Sequence, residues 1–306
     1  MLAVSLAFAR AAANECSIEL FDYFAALLPQ PRPGLPNLII NLFSGGKHAF
    51  GQVAVQDVSV VPTPGSSIAE SLAQTYDVYQ EAAAISLERY NSRPLTADEG
   101  GLAPPFRDSS EMLESAAESV ERAGYKLGKE IAIAIDVAAS HFAIADDRYY
   151  IDKQIVSARE LVNVICGWIA KYPIVSVEDG LGEEDWIHWP LLRKRLGNQC
   201  LTLADDLTCT NPSRIEHAIQ TDSANAILLK VNQIGTITEA KEAYLLAKSA
   251  GWRVAVSARS GETEDNWLAD LAVGWSSDFI KIGSITQSER LAKYNRLLEI
   301  ERQLRL

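Results

Sequence analysis

The sequence lacks several features that would indicate a membrane, secreted or nucleic-acid-binding protein. Its apolar runs all fall short of the roughly 18 residues that a membrane span needs. Its 28 Lys and Arg are outnumbered by 40 Asp and Glu, and the net charge of −12 gives nucleic-acid binding no electrostatic support. No basic residue precedes the amino-terminal apolar run, which Arg10 then interrupts, so this stretch predicts an Ala-rich helix rather than a signal peptide. We therefore expect neither a membrane nor a nucleic-acid partner.

Cysteine and histidine are also scarce, with four of each. The cysteines show no CxxC spacing, which predicts reduced, mostly buried thiols and a cytoplasmic location. They are Cys16, Cys166, Cys200 and Cys209. The absence of a Cys/His cluster disfavours a zinc site. A GxGxxG turn is missing as well, which disfavours a doubly wound dinucleotide-binding sheet.

What the sequence does contain is a series of short apolar runs. The later runs alternate with helix-like segments such as ARELVNVICGWIAKY, NPSRIEHAIQT and ITEAKEAYLLAKSAG. Near-continuous apolar strands that alternate with amphipathic helices indicate a parallel sheet covered on its outer face. The eight runs are LIINLF, VAVQDVSVV, IAIAID, YPIVSVED, CLTLADD, NAILLKVN, WRVAVSA and DFIKIG.

The spacing of these runs favours a TIM-type α/β barrel. Their polar ends lie 27 residues apart from Glu178 to Asp205 and 25 apart from Asp205 to Lys230. A repeat of about 25 to 30 residues is one βα unit. An open doubly wound sheet is the alternative. Two predicted helices and the Pro-rich segment PQPRPGLP come first, so we expect a helical segment plus linker over residues 1–34 and the barrel over residues 35–306.

Charged residues stand at the ends of six runs, and parallel strands would bring them together on one face of a barrel. Burying such charges is costly unless they pair or bind something. An ion-pair network is one interpretation, and a binding site is the other. Three carboxylates from successive strands suit Mg²⁺, and two lysines opposite them suit a general base and an electrostatic partner. The six residues are Asp136, Glu178, Asp205, Lys230, Arg259 and Lys281.

Three further segments carry polar groups that suit an anionic ligand. In VAVSARSGETED an apolar strand breaks into Arg259 and Ser260, a pair suited to holding an anion. In NLFSGGKHAF a Gly-Gly turn carries Lys47 and His48, although a lone histidine is more often structural. In TADEGGLAPP the acidic Glu99 precedes another Gly-Gly turn, a pattern that also fits a simple turn signal.

In order and spacing these motifs resemble the enolase family. NLFSGGKHA, VQDVSVVPTP, DEGGLAP, DVAASHF and YPIVSVEDGLGEEDW are followed by ADDLTCTNPSRI, LLKVNQIGT, VSARSGETEDNWLADL and IKIGSITQSERLAKYNRLLEIE. The resemblance implies an eight-stranded barrel preceded by an α+β capping domain, of which residues 1–34 would be the last helices and a linker. It also implies dehydration of 2-phosphoglycerate to phosphoenolpyruvate, with Mg²⁺ as the cofactor.

The resemblance further implies a role for each matching residue. Lys230 corresponds to the base that removes the proton next to the carboxylate, and Lys281 to the lysine that stabilises the resulting enolate. Glu99 corresponds to the acid that assists departure of the hydroxyl group, with Asp57 and His48 nearby in the catalytic group. The implied metal ligands are Asp136, Glu178 and Asp205. The implied substrate-binding residues are His48, Gln56, Arg259, Ser260 and Lys281.

Some features depart from the family pattern. Asp57 stands where the family has the longer glutamate, Ala258 where it has a histidine, and His141 where it has a glutamate. The absence of the family histidine at position 258 leaves space for a group that 2-phosphoglycerate lacks. Most of the capping domain has no counterpart in this sequence, including a mobile loop that helps bind a second Mg²⁺ and a surface used in family dimers. A homodimer and a separate chain that supplies the loop are therefore both open expectations.

These departures leave three hypotheses for the function. The first is a Mg²⁺-dependent enolase-type lyase that acts on a phosphate- or phosphonate-bearing acid other than 2-phosphoglycerate, by analogy with carboxyphosphonoenolpyruvate synthase. The second is an ordinary glycolytic enolase. The third is a scaffold or binding subunit that retains the barrel. The intact lysines and metal carboxylates favour the first over the third, whereas Ala258 and Asp57 favour it over the second.

Overall fold

The protein alternates strands and helices along most of its length. The computed structural model describes residues 1–63, 67–145 and 147–304. Among these residues the strands are β1 (Asn37–Ser44), β2 (Asp57–Pro62), β3 (Ile131–Asp136), β4 (Ala143–Ala145), β5 (Arg148–Ile151), β6 (Gln154–Ser157), β7 (Ile174–Glu178), β8 (Leu201–Ala204), β9 (Ala226–Leu229), β10 (Arg253–Ser257) and β11 (Phe279–Gly283). The α-helices are α1 (Leu2–Glu15), α2 (Leu20–Ala26), α3 (Ile68–Tyr90), α4 (Ser109–Arg122), α5 (Ala158–Lys171), α6 (Trp189–Leu196), α7 (Pro212–Gln220), α8 (Val231–Ile234), α9 (Ile237–Ser249), α10 (Trp267–Gly274) and α11 (Ser288–Leu304).

Eight of the strands close into a barrel in the order β1, β11, β10, β9, β8, β7, β3, β2. Each of them comes from one of the eight apolar runs, so the prediction of an α/β barrel is confirmed. The runs are apolar nearly throughout because helices cover the outer face and side chains fill the interior of the barrel. β9, for example, is buried at all four of its positions.

One strand departs from the all-parallel arrangement that the sequence indicates. β2 pairs antiparallel with both β1 and β3, whereas β7 to β11 run parallel to their neighbours. The connection over residues 45–56 contains only a short 3₁₀ turn, while a parallel return usually contains a helix. The amino end of β2 therefore lies beside the carboxyl ends of its neighbours, and Asp57 pairs with Ser44 on one side and Asp136 on the other.

A small antiparallel sheet outside the barrel is absent from the sequence-based prediction. It consists of β4, β5 and β6 in that order, and it lies between β3 and α5 along the chain. Tyr149 of β5 is buried; its hydroxyl group donates to Asp185 at 3.0 Å and accepts from the backbone N–H of Gly182 at 2.9 Å. This sheet therefore fixes the loop that follows β7.

The two amino-terminal helices pack against the barrel through α10. α2 buries Phe21 and Phe24 at this contact, where Gly274 has no side chain. A Cβ atom at Gly274 would lie 2.4 Å from the carbonyl oxygen of Phe21, so the approach of the two helices requires glycine. α1 adds an ion pair between Arg10 and Asp265. Both helices share the hydrophobic core of the barrel, and the division at residue 34 stays a prediction.

The helices of the described ranges are amphipathic or short. α3 has 23 residues, but acidic side chains recur along it, and it begins with a capping box in which Ser67 and Glu70 bond each other's backbone N–H groups. No helix in these ranges has both the length and the apolar character to cross a membrane.

Candidate active site

The barrel brings the six charged residues to one end, although two of them differ from the predicted positions. Arg259 lies two residues beyond β10, and Lys281 lies in the middle of β11 rather than at its end. The long side chain of Lys281 still reaches the carboxylates at the ends of β3 and β7. The four residues that do stand where their strands end are Asp136, Glu178, Asp205 and Lys230.

A cavity of about 310 Å³ lies among these strand ends. Asp57 and Glu178 are the predicted site residues outside its lining, and each contacts a residue that lines it. Asp57 Oδ2 is 3.1 Å from His48 Nδ1, and Glu178 Oε2 accepts a hydrogen bond from Lys281 Nζ at 2.7 Å. The predicted residues that do line the cavity are His48, Gln56, Glu99, Asp136, Asp205, Lys230, Arg259, Ser260 and Lys281.

Two lysines balance part of the buried negative charge. Lys281 Nζ donates to Asp136 Oδ2 at 3.0 Å as well as to Glu178, and Lys230 Nζ donates to Asp205 Oδ2. Burial alone would raise the pKa of Asp136, but Lys281 holds it below its usual value. Burial, reinforced by the charge of Asp136, raises the pKa of Glu178 well above its usual value. The raised pKa of Glu178 shows that the two lysines do not fully offset the negative potential of the three carboxyl groups.

This donor set fits a hard divalent cation, because it contains only carboxylate oxygens and the lysines do not fully offset its negative potential. The ammonium group of Lys281 lies between Asp136 and Glu178, and that of Lys230 contacts Asp205. The three predicted ligands are thus separated by lysines, whereas two other groups of the described residues have their ligand atoms within 4.8 Å of one another. Those groups are His48 with Asp57 and Glu99, and Asp179 with Asp205 and Asp206.

Asp57 organises the side of the site next to β1. Its Oδ1 atom accepts hydrogen bonds from Asn41 Nδ2 at 2.7 Å and Ser44 Oγ at 2.8 Å. Burial by itself lowers the pKa of His48, but the hydrogen bond and charge of Asp57, together with Glu99, raise it to about 9. Burial and the charge of Asp57 raise the pKa of Glu99. His48 is therefore a cation at neutral pH, and the protonated form of Glu99 is favoured.

Asp179 is a buried acid of the site that the sequence-based prediction missed. Its two carboxylate oxygens accept hydrogen bonds from the backbone N–H groups of Asp205 at 3.0 Å and Asp206 at 2.7 Å. It follows the last residue of β7 with a φ of 43°, in the left-handed region. Asp179 therefore positions the loop after β8, and its only signal in the sequence is a second acid directly after Glu178.

Arg290 of α11 is a second functional residue that was not predicted. It is fully buried. Its Nη1 atom donates to the carbonyl oxygens of Arg259 at 2.7 Å and Ile282 at 3.1 Å, and its Nη2 atom donates to those of Ser260 at 2.7 Å and Asp98 at 3.4 Å. This side chain ties the predicted anion-binding pair to the loop that carries the predicted acid.

Two of the residues that depart from the family pattern line the site cavity directly. Ala258 is buried, and its backbone N–H donates to the carbonyl oxygen of Lys281 at 2.9 Å. His141 ends the 3₁₀ turn that follows β3 and is exposed. Burial, followed by the charge of Lys47, lowers the pKa of His141 below its usual value, which favours the neutral ring.

The closed barrel and its cavity define an α/β-barrel protein with a lysine and carboxylate centre at the carboxyl ends of its strands, where barrel enzymes carry their active sites. The family Enolase, C-terminal TIM barrel domain, matches residues 33–305. The chain is 43% identical over 310 residues to Enolase of Helicobacter acinonychis (strain Sheeba), covering 99% of this chain and 71% of the relative. It is 42% identical over 311 residues to Enolase of Helicobacter pylori (strain Shi470), covering 100% of this chain and 71% of the relative.

The chain therefore belongs to the enolase family, and the resemblance inferred from its motifs is confirmed. Membership of this family supports a hydro-lyase activity of the enolase type, and dependence on Mg²⁺ is general in the family. The residue roles, the cytoplasmic location and the partners stay predictions.

Proposed function

We propose that the protein is a Mg²⁺-dependent enolase-type lyase, which removes the proton next to a carboxylate and eliminates water from a phosphoglycerate-like acid. The observation that supports this proposal is the composition of the site cavity, which is lined by Lys230 and Lys281 together with carboxylates, including Glu99, and by Arg259. Buried charges destabilise a fold unless they are well paired. A barrel with only a structural role would gain no stability from this set of buried charged residues, so the site favours catalysis over a scaffold role.

In this proposal Asp136, Glu178 and Asp205 hold Mg²⁺. When bound, the ion would supply positive charge beside the substrate carboxylate. Burial lowers the pKa of Lys230, whereas the charges of Asp205 and Glu178 raise it above its usual value. A general base requires the neutral amine, and Asp205 and Glu178 would stabilise the charged form of Lys230 less if they also held a cation.

Lys230 then accepts the proton as the carbon–hydrogen bond breaks, and the bonding electrons move toward the carboxylate to give an enolate. Lys281 stabilises this added negative charge through its ammonium group. Burial alone would lower the pKa of Lys281, but Asp136 and Glu178 raise it well above its usual value, so the group stays charged.

The carbon–oxygen bond breaks in the second half of the reaction. Glu99, whose pKa burial and the charge of Asp57 raise, donates its proton to the departing hydroxide and forms water. Arg259 and Ser260 hold the phosphate or phosphonate group, and the cationic His48 adds positive charge beside it. One proton passes from carbon to Lys230 and another from Glu99 to the leaving group, so exchange with solvent restores both residues.

We further propose that the substrate is larger than 2-phosphoglycerate at the position of Ala258. The family histidine would occupy volume and offer a hydrogen bond there, whereas the buried methyl group of Ala258 leaves that volume to the ligand. A phosphonate analogue of a phosphoglycerate-like acid fits this change. Identity of 43% to a relative named Enolase supports the second candidate, which is turnover of 2-phosphoglycerate itself.

Restoring the histidine separates these two candidates. We expect the wild-type protein to turn over 2-phosphoglycerate with Mg²⁺ slowly, and Ala258→His to raise kcat/KM by about 100-fold, the lower end of the usual effect of one well-placed donor. The ultraviolet absorbance of the enol product measures the rate. Ala250→His, at the exposed end of α9, is the matched control and should leave the rate unchanged. Wild-type turnover equal to that of the Helicobacter pylori relative would establish the second candidate instead.

The metal assignment predicts that Mg²⁺ stabilises the folded protein. At 100 times its Kd, the ion should add about 2.7 kcal/mol to the free energy of unfolding and raise the Tm by a few degrees. Glu178→Gln should weaken this effect because it removes a charged ligand, while Glu216→Gln on the exposed face of α7 should not. Thermal unfolding against Mg²⁺ concentration measures both variants. An equal Mg²⁺ response in the two variants would rule out Glu178 as a ligand.

A further inference from the structure

Three cavities meet at Lys47 and His141. The site cavity of about 310 Å³ has two neighbours, of about 360 Å³ and about 920 Å³. Lys47 and His141 line all three, and no other residue of the described ranges lines more than one of them. These two side chains therefore form the corner through which the site cavity opens toward the larger space.

Both side chains at this corner have hydrogen-bonding capacity to offer a ligand. Lys47 is exposed, and within the ranges that the structure describes its ammonium group has no hydrogen bond or ion pair. The ring of His141 is equally without a partner in those ranges, and its favoured neutral form offers one N–H group. A charged donor and a neutral donor at one corner suit a carboxylate, which accepts several hydrogen bonds.

The charges around the largest cavity limit where such an anion fits. Glu184 is paired with Arg214 at 2.9 Å, and Asp185 with His188 at 2.7 Å. Two other acids line the cavity without such a pair among the described residues, and they disfavour an anion deep inside it. They are Asp147 and Glu183. Arg148 also lines this cavity and offsets part of that negative charge, so the two unpaired donors at the corner, rather than the overall charge of the cavity, favour an anion there. The space beyond the corner has apolar walls at Ile144 and Ile187.

We propose that Lys47 and His141 form a second anion subsite, which binds an additional carboxylate carried on a short side arm of the substrate. This inference rests on the proposed function and narrows the substrate class to acids that carry one more carboxylate than 2-phosphoglycerate. The side arm extends from the site cavity to the corner, and its uncharged part faces the larger cavity.

A matched pair of ligands tests the subsite by binding alone. Phosphonosuccinate and 2-phosphonopropionate share one phosphonate and one carboxylate on the same carbon, and only the former has a further carboxylate on a methylene arm. In calorimetric titrations with Mg²⁺ present, we expect phosphonosuccinate to bind about tenfold more tightly, the effect of one charge-assisted hydrogen bond of about 1.4 kcal/mol. Lys47→Met and His141→Gln should each reduce that preference severalfold and leave the Kd of 2-phosphonopropionate within about twofold.

Lys129→Met, an exposed lysine before the amino end of β3, is the control and should change neither Kd. Equal affinity of the wild-type protein for the two ligands would overturn the subsite while leaving the proposed function intact. An equal loss of affinity for both ligands in Lys47→Met would also overturn the subsite, because it would indicate a general effect of the positive charge. Binding of neither ligand would overturn the subsite and the phosphonate part of the proposed function together.

Discussion

Replacing Lys230 with alanine should reduce proton exchange next to the substrate carboxylate by about 10²- to 10⁴-fold, the usual contribution of a general base. Lys230 is the residue after β9, it lines the site cavity, and its ammonium group contacts Asp205. Exchange of the carbon-bound proton in D₂O, followed by NMR with Mg²⁺ and 2-phosphoglycerate or a phosphonate analogue, measures the first half of the reaction without requiring elimination.

The controls for this experiment distinguish a base from a charge that supports binding. Lys230→Ala should retain the Kd of the ligand within a fewfold, because the proposed anion contacts come from Arg259 and Ser260. Lys129→Ala, far from the cavity at the amino end of β3, should exchange the proton at the wild-type rate. Retention of the full exchange rate in Lys230→Ala would show that another group is the base.

Replacing Arg290 with methionine should lower the free energy of unfolding by about 3 to 5 kcal/mol. The guanidinium group donates to four carbonyl oxygens, and a buried acceptor that loses its donor costs about 1 to 3 kcal/mol. Because two of the four carbonyls belong to Arg259 and Ser260, the variant should also bind inorganic phosphate more weakly. Urea unfolding and phosphate titration in the presence of Mg²⁺ measure the two effects.

Arg302→Met on the exposed surface of α11 is the matched control, and its stability should change by less than about 0.5 kcal/mol. Arg290→Lys separates packing from hydrogen bonding, since lysine retains a positive charge but cannot reach four carbonyls at once. A loss of less than 1 kcal/mol in Arg290→Met would contradict the role of this residue in holding the loops. If Arg290→Met weakened phosphate binding without lowering the free energy of unfolding, Arg290 would act on the bound phosphate directly rather than by holding the loops.

The barrel was predictable because its signal is local and repeated. Each strand that is buried on both faces is a short apolar run. The intervals from Glu178 to Asp205 and from Asp205 to Lys230 each correspond to the length of one βα unit. The direction of β2 was not predictable in the same way. An apolar run does not indicate the direction of its strand, so only the short connection before Asp57 distinguishes an antiparallel strand from a parallel one.

The candidate site was predictable where its residues sit at strand ends or in recognisable motifs. The supporting residues were not, because their roles depend on contacts between distant parts of the chain. Arg290 reaches Asp98 across 192 positions of sequence, and nothing in a charged helix segment distinguishes a buried arginine from an exposed one. Asp179 is similar, since its carboxylate bonds backbone groups 26 and 27 positions away.

The reversed direction of β2 has a consequence for how this protein tolerates insertions. In a parallel unit, one end of each connecting segment is anchored at the catalytic end of the barrel and the other at the opposite end. The segment over residues 45–56 has both anchors at the catalytic end, because β1 finishes there and β2 starts there. Lengthening this segment would reshape the wall of the site without altering the closure of the barrel, so it is a natural position for engineering a new ligand preference.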